Sequence, residues 1–201
     1  MADIAPTRQV HPPPWRRLFH LTAGSSIPII GVFASKEAMI VLLSVLAGLS
    51  LIVEAARMFI PPLNTFLLRY LKPLLKDAES RRFTGSTHMV IAALFCFLFL
   101  DRGFAVAAFL FLSAGDPMAA IIGRRAPGWR LNGKSPVGTL TLLATGMALS
   151  FLLWSTDVAS PLWALLAGAA VASVVEILPL PLDDNFTIPV IAGAAMGIMT
   201  L

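Results

Sequence analysis

The sequence predicts an all-α membrane protein built as a bundle of about seven transmembrane helices. Of its 201 residues, 57% are hydrophobic and only 13% are charged, whereas about a quarter of the residues in soluble chains are charged. Its apolar stretches are continuous, without the period-two alternation of a transmembrane barrel. A helical span needs about 20 apolar residues, and seven segments approach or reach that length: 18–34, 38–55, 88–100, 103–122, 137–154, 161–180 and 186–201.

The chain divides into a polar, proline-rich tail, residues 1–15, and a single integral membrane domain, residues 16–201. We expect this domain to be the catalytic one, for the reasons that follow. No short apolar core with a small-residue cleavage site follows the tail, so we expect no removable signal peptide. Arg16, Arg17 and His20 stand three and four positions apart and share one face where the first span begins. A lone histidine is a weak signal, but two adjacent arginines make this face a candidate phosphate contact.

Spans two and three are joined by a segment with helical amphipathic spacing. Its apolar positions are Leu63, Phe66, Leu67, Tyr70, Leu71, Leu74 and Leu75. The spacing predicts a helix in the membrane interface, which either guides lipid or anchors the loop. Glu54 and Arg57, three positions apart at the end of span two, favour an intrahelical ion pair over a catalytic role. Cys96, in the middle of span three, is interpreted as a small buried hydrophobe.

The fourth span contains the run GDPMAAIIGRR. Pro117 lacks an N–H group and its ring clashes with the carbonyl of Ser113, so the helix is predicted to kink or break beside Asp116. A carboxylate inside a span indicates function by default, although pairing with Arg124 or Arg125 is the structural alternative. The face of Asp116 carries only small residues and leaves room for a ligand or a close helix: Ala119, Ala120 and Gly123.

The loop between spans four and five, GRRAPGWRLNGKSPVGT, is basic and glycine-rich. Lys134 offers a cation, Ser135 and Thr139 offer hydroxyls, and the helix start at Gly138 offers backbone N–H groups aimed at an anion. No strand precedes the loop, so it is not a Walker A motif. The alternative is that its charges only set the topology.

The last two spans carry further carboxylates. Glu176 shares a face with Ser173, Ala172 and Ala169, and either catalysis or a buried ion pair explains it. Asp183, Asp184 and Asn185 precede the last span and offer the hard oxygen ligands that suit Mg²⁺, although an N-cap is the structural alternative. The G-x-x-x-G at 193–197 predicts tight helix packing, within one chain or in a homodimer.

The basic residues predict the orientation of the chain. The tail with the entry of span one and the loops 56–87, 123–136 and 179–185 carry 13 of the 15 Lys and Arg. The N-terminus is therefore expected in the cytoplasm and the C-terminus outside, and the net charge of +4 does not indicate nucleic acid. All the polar candidates then fall at the cytoplasmic face and predict one site there. A transporter would instead place them near the bilayer midplane, with internal repeats.

Five motifs, in order, carry a family resemblance: WRRLFHLTAG, RRFTGSTH, GDPMAAIIGRR, GKSPVGT and EILPLPLDDNFTIP. The set, which covers the chain from about Arg16 to the final span, resembles the polytopic CTP-dependent lipid kinases, which include dolichol kinase, phytol kinase and the CTP-using diacylglycerol kinase. The resemblance implies an enzyme that transfers the γ-phosphate of CTP, with Mg²⁺, to a membrane lipid alcohol: a polyprenol, a phytol-type isoprenoid alcohol or diacylglycerol. The related phosphatidate cytidylyltransferases, which make CDP-diacylglycerol, are the alternative. A non-enzymatic membrane scaffold or transporter is the third.

The resemblance extends to single positions. Asp116 with Gly123 and Arg124 resembles the signature G-D-x-x-A-x-x-x-G-R, and Lys134 with Ser135 resembles the loop K-S-x-x-G-[ST]. Pro136 and His88 depart from the residues usual in these kinases, which bears on substrate choice. We expect the catalytic residues to be Asp116, Lys134, Glu176 and His20. The expected phosphate contacts are Arg16, Arg17, Gly115, Gly123, Arg124, Ser135, Gly138 and Thr139. The expected Mg²⁺ ligands are Asp116, Asp183, Asp184 and Asn185, and the general base is left open among Asp116, Glu176 and His20.

Overall fold

A computed structural model describes residues 14–71, 82–131 and 133–201, with side chains from residue 21 onward apart from residue 71. No strand occurs in these ranges, and their regular structure is helical apart from one isolated bridge. The helices are α1 (Pro14–Phe33), α2 (Lys36–Phe59), α3 (Pro61–Leu71), α4 (Gly85–Phe99), α5 (Arg102–Leu110), a π-helical turn (Phe111–Gly115), α6 (Asp116–Arg125), α7 (Pro136–Ser155), α8 (Leu162–Ile177) and α9 (Asp184–Met199). The predicted all-α fold is confirmed.

Among the described residues, three helices are long and apolar enough to cross a membrane: Lys36–Phe59, Arg102–Arg125 and Pro136–Ser155. Four further apolar helices are shorter: Leu21–Phe33, Gly85–Phe99, Leu162–Ile177 and Asp184–Met199. Each of the seven coincides with a segment for which the sequence predicts a span. The length and composition of the three long helices are consistent with a membrane protein.

The centre of the bundle is α5 together with the π-helical turn. Residues 105–109 are fully buried, and α1, α4, α7, α8 and α9 all contact this part of the chain. Three of those five residues are alanines, which let the neighbouring helices approach closely. Because these residues are enclosed by other helices on every side, this segment forms the core around which those helices pack.

The sequence predicts a kink or a break beside Asp116, and a break does not occur, because one continuous helix runs through Arg102–Arg125. The irregularity is the π-helical turn, Phe111–Gly115, directly before Asp116. Such turns interrupt the ordinary hydrogen-bond ladder without ending a helix, and Pro117 follows at the start of α6. Ser113 in this turn is fully buried and accepts a hydrogen bond of 3.1 Å from the hydroxyl of Ser25 in α1.

The G-x-x-x-G of the last helix packs as predicted, and it does so within one chain. A Cβ at Gly193 would collide with the side chain of Leu100, and one at Gly197 would lie 3.3 Å from the same leucine. Cys96 is fully buried beside this contact, as the sequence predicts. Because its thiol is enclosed, Cys96 can report unfolding by becoming reactive.

Polar residues gather at one end of the bundle, which we call the polar end. It is formed by residues 54–57, 82–88, 123–131, 133–139 and 176–185, at or beside which six helices begin or end. The opposite end is closed by different contacts: the Arg102 guanidinium donates to the carbonyl of Ala34 over 3.1 Å. The predicted convergence of the polar candidates on one face is therefore present in the fold for the residues whose side chains are described, apart from Asp116, which begins α6 deeper in the bundle.

Helix α3 begins immediately after α2 and lies at the polar end. Phe66 and Tyr70 on this helix are exposed, and their ring centroids are 4.6 Å apart. The predicted amphipathic helix is thus present up to Leu71, and its remaining positions lie outside the described residues. An exposed aromatic pair on a short helix suits the boundary between lipid and water.

Candidate functional site

Lys134 lies at the centre of a cluster formed by three separate elements. From the loop before α7, its ammonium donates to the carboxylate of Asp184 at the start of α9, over 2.8 Å. It also donates to the backbone carbonyl of Glu176 in the last turn of α8. The side chains of Lys134 and Asp184 are 24% and 38% exposed, so a ligand in water can reach both charges.

Glu176 extends this cluster inward. Its side chain is buried, and its carboxylate accepts a hydrogen bond of 3.0 Å from the hydroxyl of Thr139 in the first turn of α7. The small residues on its face allow the helices to meet closely, since Ala169 contacts Gly146 of α7. Lys134, Thr139, Glu176 and Asp184, all predicted site residues, are thus brought together by contacts among α7, α8 and α9.

Ser135 joins the predicted phosphate loop to α6. Its hydroxyl accepts from the N–H of Gly138 over 3.1 Å, which caps α7, and donates to the carbonyl of Gly123 over 3.0 Å. A Cβ at Gly123 would lie 2.9 Å from the Cα of Gly138. Of the two uses predicted for the small-residue face below Asp116, a close helix is the one the structure contains. Gly123, Ser135 and Gly138 have packing roles, and their contact with phosphate stays a prediction.

We predict that Gly123→Ala destabilises the protein by about 1–3 kcal/mol, the usual cost of overpacking. The new Cβ would lie 2.7 Å from Ser135 Oγ and push α6 away from α7. The matched control is Gly48→Ala in α2, where a Cβ meets nothing within 4 Å and alanine favours the helix. Thermal unfolding followed by Cys96 reactivity should separate the two variants, and equal midpoints would contradict the close contact.

The three residues before the last span have three different partners. Asp183 is the N-cap of α9, since its carboxylate accepts from the N–H of Asn185 over 3.0 Å. The buried side chain of Asn185 donates to the carbonyl of Gly85 in α4 over 3.1 Å, and Asp184 binds Lys134. The predicted N-cap alternative is therefore confirmed for Asp183, while Asn185 connects α9 to α4.

The candidate site offers Mg²⁺ only a few protein ligands. Within the described ranges, no three His, Cys, Asp or Glu side chains converge on one metal position. Mg²⁺ needs no such cage, because it is usually held by one or two carboxylates together with substrate phosphates and water. Lys134 contacts Asp184 through its carboxylate and Glu176 through its backbone carbonyl, and the carboxylates of these two residues match the number that Mg²⁺ usually takes from a protein.

Asp116 begins α6 directly after Gly115, the last residue of the π-helical turn, and is half-buried. Seven residues of helix, about 10 Å, separate it from Gly123, so it lies deeper in the bundle than the loop that carries Lys134.

The Nε of Arg124, a predicted phosphate contact, donates to the carbonyl of Ala120 over 2.7 Å. Arg16, Arg17 and His20 belong to α1, but their side chains lie outside the described residues.

A second cluster at the polar end is formed by Glu54, Arg57, Thr84 and Thr87. The sequence predicts only its ion pair. The ion pair of Glu54 and Arg57 is present at 2.5 Å. Glu54 also accepts from the N–H of Thr84 over 2.8 Å and from the hydroxyl of Thr87 over 3.0 Å, and Arg57 donates to the carbonyl of Arg82. Sequence reasoning missed the two threonines, because only the folded chain brings residues thirty positions apart together. The motif RRFTGSTH is the one signal that pointed to this segment.

Comparison with known proteins adds a distant relative. No protein-family model matches the chain, and no solved structure matches it. An uncharacterized protein of Rickettsia prowazekii (strain Madrid E) is 21% identical over 142 residues, which is 69% of this chain and 69% of that protein. This similarity carries no activity with it, so a proposal about function depends on the site and on the motifs.

Proposed function

We propose that this protein is a CTP-dependent lipid kinase that transfers the γ-phosphate of CTP to a membrane lipid alcohol. The observation that carries the proposal is the position of Lys134, whose ammonium lies between the Asp184 carboxylate and the end of α8. The helix starts of α7 and α9 lie beside it. A cation, two carboxylates and two helix N-termini are the groups that bind a nucleotide's phosphates and their metal.

The proposed setting is a bundle of seven spans with the polar end in the cytoplasm. The four shorter apolar helices then cross together with the three long ones, and α3 lies in the interface with its exposed aromatic pair. In that orientation, 13 of the 15 Lys and Arg are cytoplasmic, as the positive-inside rule requires. Nucleotide reaches the polar end from water, and the lipid alcohol enters laterally between helices.

The phosphate chemistry follows from the charges at the site. When nucleotide binds, the ammonium of Lys134 leaves the carboxylate of Asp184 and contacts phosphate oxygens instead. Asp184 and Glu176 are the carboxylates that would hold Mg²⁺, which supplies charge neutralisation on the phosphates. Thr139 keeps the Glu176 carboxylate in place. Phosphoryl transfer mainly requires a protein to position the reactants and to neutralise charge. These residues would serve both purposes.

The transfer itself makes one bond and breaks one. The lipid hydroxyl oxygen attacks the γ-phosphorus in line, the bond from that phosphorus to the β–γ bridging oxygen breaks, and CDP leaves. The hydroxyl proton passes to a general base, for which Asp116, Glu176 and His20 are the three candidates. Asp116 lies deeper in the bundle than Glu176, where a hydroxyl coming from the bilayer arrives first.

The test is transfer of label from CTP carrying ³²P in the γ position. Purified protein is incubated with this nucleotide, Mg²⁺ and, separately, a polyprenol, phytol and diacylglycerol. We expect label in one class of alcohol and little transfer when ATP replaces CTP. Folded protein, recognised by its protected Cys96, that labels none of these alcohols would contradict the proposal.

Asp116→Asn is expected to lower the transfer rate about 10²-fold or more, the usual contribution of a general base. The substitution keeps the size of the side chain and removes the charge. The matched control is Asp101→Asn at the opposite end, where the aspartate precedes α5 and makes no side-chain capping hydrogen bond that the substitution would remove. Unchanged turnover of CTP by Asp116→Asn would exclude this residue from the reaction.

A further inference from the structure

Arg130 spans the end of α6 and the turn that precedes Lys134. Its guanidinium donates to the carbonyl of Gly123 over 3.2 Å and to those of Arg124 and Ala126 over 3.1 Å. It also donates to the carbonyl of Gly133 over 3.4 Å. The last carbonyls of a helix have no partner within the helix, so Arg130 satisfies the end of α6 and attaches the next turn to it.

That turn is built to present Lys134. Leu131 and Lys134 exchange two backbone hydrogen bonds of 2.9 Å, and Gly133 between them has φ +83°, a conformation that glycine adopts without strain. The hydroxyl of Ser135, on the other side of Lys134, donates to the same Gly123 carbonyl that accepts from Arg130. The turn is therefore held to one carbonyl of α6 on both sides of Lys134.

We infer that Arg130 is a positioning residue for Lys134, an inference that rests on the proposed function insofar as Lys134 binds phosphate. The guanidinium is directed at backbone carbonyls from two nitrogens: Nη2 lies within hydrogen-bond distance of three carbonyls at the end of α6, and Nη1 donates to Gly133 in the turn. A lysine ammonium has a single nitrogen, so lysine at this position would keep the charge and lose the simultaneous connection of the helix end to the turn. If Arg130 acts by geometry, Arg130→Lys fails; if it acts by charge, that variant suffices.

The first measurement does not depend on catalysis. Wild-type protein, Arg130→Lys and Arg130→Gln are treated with an acetylating reagent, and modification of Lys134 is followed by mass spectrometry relative to Lys36 at the opposite end. We call the hydrogen bonds from Arg130 to α6 and the turn the brace. Loss of the brace frees Lys134 from Asp184, so the modification of Lys134 should become severalfold faster in both variants. Arg125→Lys and Arg125→Gln, at the exposed arginine that ends α6, should match wild type.

The second measurement is kinetic. A misplaced phosphate contact should lower kcat/KM for CTP about 10- to 100-fold, with no change in the KM for the lipid alcohol. A loss of stability alone would lower the amount of folded protein, as reported by Cys96, without this split between the two substrates. Arg130→Lys should be nearly as defective as Arg130→Gln.

The outcomes separate this inference from the proposed function. Unchanged modification of Lys134 in both Arg130 variants would overturn the brace, and a raised KM for CTP alongside it would instead make Arg130 a direct phosphate contact. Faster modification of Lys134, in a protein whose wild type transfers no phosphate, would support the brace and contradict the kinase.

Discussion

Replacing Lys134 by alanine is expected to lower kcat for phosphate transfer from CTP about 10²–10³-fold, the usual loss when one group that stabilises transition-state charge is removed. Lys134 is the cation at the centre of the candidate site, and its partner Asp184 would be left without it. The measurement is the initial rate of lipid labelling at saturating CTP. The protection of Cys96 verifies that the variant is folded.

Arg125→Ala is the control for this experiment. It removes an equal charge from the end of α6, next to the loop that carries Lys134, so it reports any effect of net charge on nucleotide attraction. We expect its kcat to stay close to that of wild type. If Lys134→Ala kept wild-type turnover, Lys134 would have no role in the reaction and the proposed site would be wrong.

Arg57→Met is expected to destabilise the fold by about 3–5 kcal/mol, because it leaves a buried carboxylate without its counter-charge. Glu54 is 2% exposed and Arg57 is 4% exposed, so water cannot replace the lost partner. The pair also binds the segment before α4, through the N–H of Thr84 and the carbonyl of Arg82. Cys96 should therefore become reactive at a clearly lower temperature in this variant.

The double variant Glu54→Gln/Arg57→Met distinguishes the buried charge from simple loss of packing. It removes both charges at once, and a buried pair replaced together often costs little. We expect it to recover much of the stability that the single variant loses. A single variant as stable as wild type would contradict the buried pair.

The positions of the helices could be predicted because long apolar runs and polar breaks determine them. The irregular turn before Asp116 was harder to predict: Pro117 indicates an interruption, but whether a helix breaks or forms a π-helical turn depends on the packing around Ser113. The N-cap role of Asp183 and the pairing of Glu54 with Arg57 are local, so their spacing in the sequence was sufficient to anticipate them.

For the candidate site, the sequence predicts that the residues share one face of the bundle, but not which of them are in contact. Topology placed Lys134, Glu176 and Asp184 at one end, but which side chains touch depends on how α7, α8 and α9 pack. Glycines illustrate the difficulty: Gly123 could be interpreted as making room for phosphate, whereas the fold uses it to bring α7 close. Arg130 was interpreted as a topology signal because its carbonyl partners come together only in the folded loop.

The most direct test of the central claim is which phosphate of CTP reaches the lipid. Parallel reactions with CTP labelled at the α or at the γ position, Mg²⁺, and either a lipid alcohol or phosphatidate should place label in lipid from the γ position alone. Label from the α position, with release of pyrophosphate and formation of CDP-lipid, would contradict the kinase and identify a cytidylyltransferase. Label from neither position in folded protein would contradict both activities and favour a non-enzymatic membrane protein.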